Sequence, residues 1–112
     1  STFGGNPVCC AGALSILSRI DDVLLEQVRK KAAYLRDRFQ GADGIEGVSG
    51  LGLMMGLKTT RPAAQVVSDC REQGVLCLTA KDKIRLLPPL NISFEDLVEA
   101  AEVILAAVAR PC

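Results

Sequence analysis

Histidine and tryptophan are both absent from these 112 residues. Without histidine the chain cannot supply a Ser-His-Asp or Cys-His pair, nor an imidazole metal ligand. An excess of charge of either sign is also missing, since thirteen basic residues balance thirteen acidic ones. That excludes a nucleic-acid binder driven by neutralising phosphates. No apolar run approaches the roughly 18 residues of a membrane-spanning helix. No basic start followed by an apolar stretch marks a secretory signal, so the cytoplasm is the expected compartment. The five cysteines, Cys9, Cys10, Cys70, Cys77 and Cys112, are odd in number and contain no CxxC spacing. Zinc sites want paired ligands at short intervals and disulfide scaffolds want an even count. The cysteines are therefore expected as small buried hydrophobes in a reducing compartment, with Cys112 terminal and exposed.

What is present is a core-forming composition. Hydrophobic residues make up 49% of the chain and the mean hydropathy is +0.28, which argues against disorder. The length allows one domain over residues 1–112, at about 100–200 residues per domain. The opening Ser1-Thr2-Phe3-Gly4-Gly5 reads like the middle of a loop, so a piece of a longer protein is expected.

Asn6 before Pro7 is a cap followed by the residue favoured at the first helical position. Residues 8–20 are then apolar or small nearly all round, with Arg19 late. A helix without a polar face is buried on all sides, which predicts a surface meant for another domain or subunit. Asp21 and Asp22 restart a helix with negative charge in its first turn. Leu24, Val28, Leu35 and Phe39 form its apolar stripe, and Gly41 and Gly44 end it. Residues 45–59 read as strand, bend, strand, punctuated by Gly47, Gly50, Gly52 and Gly56. The glycines do not fit GxGxxG, so bulges and close backbone approach explain them better than a dinucleotide site.

Pro62 opens a third helix with Ala63, Val66, Val67 and Cys70 inward, and Gly74 stops it. Residues 75–79 predict a strand, residues 80–83 a polar turn, and residues 84–87 a strand halted by Pro88 and Pro89. Ser93 caps the last helix, Asp96 stands three residues on, and Ile92 and Leu97 fit a hydrophobic staple. The expected class is α+β: a small antiparallel-type sheet of about four short strands with helices packed on one face.

Two segments could carry chemistry. In residues 1–7, two hydroxyls and two glycines precede a helix start, where unpaired N–H groups attract anions. The same pattern also suits a frayed terminus before an ordinary cap. In residues 84–90, Arg85 is a fixed charge in an otherwise apolar run. Its guanidinium fork matches a carboxylate, although an arginine leaning off a sheet into solvent would read the same way. Lys81 and Lys83 read as solvated turn residues. No nucleophile stands with a base, so the chain carries no complete catalytic constellation.

Taken together, Ser1-Thr2-Phe3-Gly4-Gly5-Asn6-Pro7, the Ala-rich helix after it, Leu53-Met54-Met55-Gly56-Leu57, Gly74-Val75-Leu76-Cys77-Leu78-Thr79 and Ile84-Arg85-Leu86-Leu87-Pro88-Pro89-Leu90 resemble class III (ornithine-type) aminotransferases. The last run is nearest to members that act on acetylornithine; members acting on ornithine, succinylornithine or 4-aminobutyrate share the scaffold. The resemblance implies the C-terminal small domain of a fold-type I pyridoxal-phosphate enzyme. Residues 1–7 would be a cofactor-phosphate loop and residues 8–20 a linking helix.

The family moves an amino group between an amine and 2-oxoglutarate, with pyridoxal 5'-phosphate as electron sink. By the same resemblance, Thr2 would place its hydroxyl and amide on the cofactor phosphate of the neighbouring subunit in a homodimer, and Ser1 would sit near the bound substrate. Arg85 would hold a substrate carboxylate, or pair with a large-domain glutamate that moves aside for 2-oxoglutarate. The Schiff-base lysine would lie upstream of Ser1, which makes this segment alone an inactive one. A different class of reading stays open: a stand-alone interaction module that docks through the first helix.

Overall fold

A computed structural model describes residues 2–111. The elements in chain order are α1 (Pro7–Leu17), α2 (Asp22–Phe39), β1 (Ile45–Leu51), β2 (Met54–Thr59), α3 (Ala63–Glu72), β3 (Leu78–Ala80), β4 (Lys83–Leu86) and α4 (Phe94–Val108). Each helix start with a polar cap follows from a local signal. Asn6 Oδ1 accepts from the Val8 and Cys9 N–H groups, Asp21 from Leu24 N–H at 2.8 Å, and Ser93 Oγ from Asp96 N–H at 3.1 Å. Pro62 caps α3 without a side-chain hydrogen bond.

The four strands form one antiparallel sheet in the order β1-β2-β4-β3. Two hairpins make it, with α3 crossing over from β2 to the edge strand β3. Both hairpin loops have two residues, Gly52-Leu53 and Lys81-Asp82, with a positive φ at the first position, +59° and +58°. That is the pattern of a type II′ turn, which matches the twist of the strands it joins. Lys81 occupies a position where glycine is usual.

The sheet buries one face only. Met55, Leu57, Ile84 and Leu86 point inward beneath Phe39, Val66, Leu97, Ile104 and Val108. Each such side chain contributes about 1.5–3 kcal/mol on burial. Tyr34 and Phe94 meet edge-to-face at 5.6 Å between α2 and α4. The α+β architecture with helices on one face is the expected one.

Three expectations need correction. The strand expected over residues 75–79 is confined to Leu78–Ala80. Val75 N–H is spent on the Cys70 carbonyl, 2.9 Å away, closing the C-terminus of α3, so the segment cannot begin a ladder there. The polar turn of residues 80–83 tightens to two residues, which makes Lys83 a strand residue and ends β4 at Leu86. The first helix stops at Leu17 and buries no residue. Cys9 and Cys10 are therefore exposed, whereas Cys70 and Cys77 are buried as expected. Cys112 lies outside the described residues.

No residue of helix α1 is buried among the described residues. The radius of gyration is 16.2 Å, against ~13 Å for a compact domain of this length. No described helix is long and apolar enough to cross a membrane.

One glycine fixes a close approach. At Gly44, φ is +86° and a Cβ would lie 2.1 Å from the Val108 carbonyl oxygen. The start of β1 thus rests directly on the last turn of α4. Gly44→Ala should destabilise by at least about 3 kcal/mol, from left-handed backbone cost plus the clash. A urea midpoint unmoved by the substitution would contradict that packing.

Candidate functional site

Arg85 is placed by alternation along β4. Ile84 and Leu86 on either side are buried, so Arg85 projects from the opposite face, where it is exposed. Its cross-strand partners are Gly56 on β2 and Leu78 on β3. No ion pair among the described residues includes it. The arginine thus avoids the cost of unpaired burial by facing outward, and its guanidinium fork is available to a carboxylate.

Thr2 is exposed, in the turn before α1. Ser1 lies outside the described residues. The anion-attracting N–H groups expected at the start of α1 are already taken. Pro7 has none, Val8 and Cys9 donate to Asn6 Oδ1, and Cys10 donates to the Asn6 carbonyl. Any phosphate held here must use the Thr2 hydroxyl and the backbone of the Thr2–Gly5 turn rather than the helix end. A hydroxyl and turn amides are groups of the kind that hold a phosphate oxygen.

Neither Thr2 nor Arg85 lines the cavity beside α4. That cavity, of ~440 Å³ between α4 and the β4–α4 connection, is lined by Leu35, Val75, Leu87, Pro88 and Leu97 among others. Of the two buried thiols, Cys70 offers no nucleophile, while its hydrogen bond shifts Cys77 the other way, downward. A hydrogen bond with Cys77 and burial both push the Cys70 thiol up, so it stays protonated at neutral pH.

Two apolar surfaces lie open beside these residues. On α1, Val8, Leu14, Ile16 and Leu17 are all exposed, and on the outer sheet face so are Leu51, Met54 and Leu78. Exposed large apolar side chains gathered on one element or face are candidates for an interaction surface.

Arg61 is the polar residue that sequence reading missed. It is buried in the β2–α3 link, and Nη1 donates to Asp69 Oδ2 at 2.8 Å and to the Ala107 carbonyl at 2.6 Å. Its role is to join α3 to the end of α4. Lys58 and Lys83, on the outer sheet face with Arg85, were also missed as a group. The period-two spacing of Lys83 and Arg85 was the available signal.

The sheet is packed by helices on one face and carries the outward Arg85 on the other. Residues 1–108 match the Aminotransferase class-III family model, and the chain belongs to that family. The acetylornithine aminotransferase of Haemophilus ducreyi is 44% identical over 110 residues, covering 96% of this chain and 28% of its own length. Among solved structures, the acetylornithine aminotransferase of Elizabethkingia anophelis superposes with a TM-score of 0.83 at 30% identity, over 96% of this chain and 31% of that one. The ornithine aminotransferase of Toxoplasma gondii, which holds pyridoxal phosphate at partial occupancy, gives 0.82 at 28% identity, over 97% of this chain and 28% of that one. The chain therefore spans under a third of the length of these relatives. Class-III aminotransferases depend on pyridoxal 5'-phosphate.

Proposed function

We propose that this chain is the C-terminal small domain of an acetylornithine aminotransferase, which transfers an amino group between N2-acetylornithine and 2-oxoglutarate in arginine biosynthesis in the cytoplasm. The observation that carries the reading is Arg85, an outward guanidinium without an ion pair among the described residues, on a sheet whose other face packs against helices, in a chain with 44% identity to a relative of that name. Residues 1–7 serve as the phosphate loop and residues 8–20 as the link to a large domain. Pyridoxal phosphate, when bound, supplies the electron sink.

This chain's share of the work is binding and orientation. Thr2 gives a hydroxyl and a turn amide to the cofactor phosphate across a homodimer interface. Ser1 lies beside the substrate. Arg85 fixes a substrate carboxylate in bidentate fashion, which sets the reacting end of the molecule. The apolar surface of α1 and the Leu51–Met54 end of the outer sheet face are covered by the large domain and the second subunit, which leaves the part of that face holding Lys58, Lys83 and Arg85 open to solvent. The reactive lysine belongs to that large domain, so residues 1–112 alone are inactive.

The test is a comparison of the 112-residue chain with the whole polypeptide that carries it. The whole polypeptide should absorb in the visible with bound cofactor and convert acetylornithine with 2-oxoglutarate. The short chain should do neither. Turnover by the short chain would disprove the division of labour, and a preference of the whole polypeptide for ornithine or 4-aminobutyrate would reassign the donor.

A further inference from the structure

The outer sheet face carries a charge arrangement that the fold does not need. Lys58 on β2 and Lys83 on β4 are directly opposite one another in the antiparallel register. Both lie on the side away from the helices, since Leu57, Thr59 and Ile84 beside them are buried. Like charges facing each other across a strand pair repel and cost stability. Arg85 stands two residues from Lys83 on that same face and adds a third cation.

The surroundings soften this only in part. Glu46 lies 3.7 Å from Lys58, with both side chains about half exposed, so the pair is weak. Lys83 Nζ donates to Ser49 Oγ at 3.4 Å, a neutral partner. Gly47, opposite Lys58, and Gly56, between Ser49 and Arg85, present bare backbone. A Cβ on Gly56 would sit 3.0 Å from Ser49 Oγ and 3.6 Å from Lys83 Cδ. The result is a shallow floor at Gly56, rimmed by a hydroxyl, an ammonium and a guanidinium. Elsewhere Arg29, Arg38, Arg61 and Arg110 each meet a carboxylate. A positive field only partly offset by Glu46, on one face of a chain with zero formal net charge, attracts anions and favours those of higher charge.

We propose that Lys58 and Lys83 are specificity-determining residues that make the site around Arg85 prefer a dianionic 2-oxo acid over a monoanionic one. The inference rests on the reading of Arg85 given under Proposed function. It assigns the two lysines to charge selection, with no part in the chemical step.

The test uses the whole polypeptide, with 2-oxoglutarate as the dianionic acceptor and pyruvate as the monoanionic one. In Lys83→Gln, and more fully in the Lys58→Gln/Lys83→Gln double variant, the ratio of kcat/KM for 2-oxoglutarate to that for pyruvate should fall. The fall is roughly tenfold at low ionic strength and resides in the KM for 2-oxoglutarate. Raising the salt to about 0.5 M should bring the unaltered ratio down toward that of the variants, because exposed charges are screened. The thermal midpoint of the double variant should be unchanged or higher, since repulsion is relieved. Lys30→Gln, on the exposed side of α2, removes one charge from the helix side of the sheet and should leave the ratio alone.

A ratio that stays within about twofold in both variants, or that falls without any salt dependence, overturns the inference while the amino-transfer reading stands. If the unaltered polypeptide aminates neither acceptor, the amino-transfer reading fails, and this inference with it. Should the double variant not fold, the single Lys83→Gln ratio decides.

Discussion

Arg61→Ala should lower the stability of the protein by about 3 kcal/mol or more, a large share of the roughly 5–15 kcal/mol that holds a domain together. The residue is 8% exposed. One nitrogen serves two acceptors: Asp69 on α3 and the Ala107 carbonyl in the last turn of α4. That carbonyl belongs to the set a helix end leaves without internal partners. Thr59 holds the link in place by donating to the Arg61 carbonyl at 2.7 Å. Truncation would leave the Ala107 carbonyl with only the long backbone bond from Arg110 N–H at 3.4 Å, and would leave Asp69 with Arg110 alone at 3.3 Å. Arg61 Nε is already buried without a partner. The native fold thus carries one desolvation cost here, and the loss should be smaller than the sum of the two bonds.

Arg61→Lys should recover part of the stability, because the charge returns without the fork. The hydrogen bond from Arg61 holds the Asp69 carboxyl below its ordinary value. A depressed carboxyl stabilises the fold above its unfolded value near 4, and that contribution is lost as pH falls through the folded value. Asp69→Asn should therefore flatten the loss of stability on acidification below about pH 4. Equal urea midpoints for Arg61→Ala and the unaltered protein would remove Arg61 from the framework of the fold.

Arg61 also shows why part of the molecule was hidden in the sequence. It stands between Thr60 and Pro62 and looks like a loop residue, because its partners are 8 and 46 positions away. Caps behave in the opposite way. Asn6, Asp21 and Ser93 act within three residues, so the helix starts at Pro7, Asp22 and Phe94 could be read directly. The inward stripes of α3 and α4 were legible for the same reason, since helical spacing is local.

The edge strand was not. Its extent depends on the Lys81-Asp82 turn and on β4, and Val75 is claimed first by the end of α3. Misplacing that turn hid Lys83, and with it the cationic face. At the first motif the cap itself was legible, but it consumes the N–H groups that made the helix end attractive to an anion. The all-apolar α1 was legible as a surface in need of a partner. Its cysteines are exposed because no residue of α1 is buried among the described residues.

In the whole polypeptide, Arg85→Ala should reduce kcat/KM for carboxylate substrates about a hundredfold or more, the expected cost of truncating a charge paired across a binding site. The fold should not notice. Arg85 is exposed and makes no ion pair among the described residues, so its removal should shift stability by no more than about 0.5 kcal/mol. That contrast with Arg61 separates a binding arginine from a structural one on the same scaffold. Arg85→Lys keeps the charge and loses the planar fork, so a bidentate role predicts a loss nearly as deep as alanine's, whereas a purely electrostatic role predicts near-complete rescue.

Single-turnover measurements of the two half-reactions then divide the remaining possibilities. A loss confined to the half-reaction with 2-oxoglutarate fits an arginine released from an internal glutamate only for that acceptor. Equal losses in both half-reactions fit general carboxylate binding. Unchanged kinetics in Arg85→Ala, with the stability also unchanged, would leave the outward guanidinium as an ordinary solvated side chain and remove the central support from the amino-transfer reading.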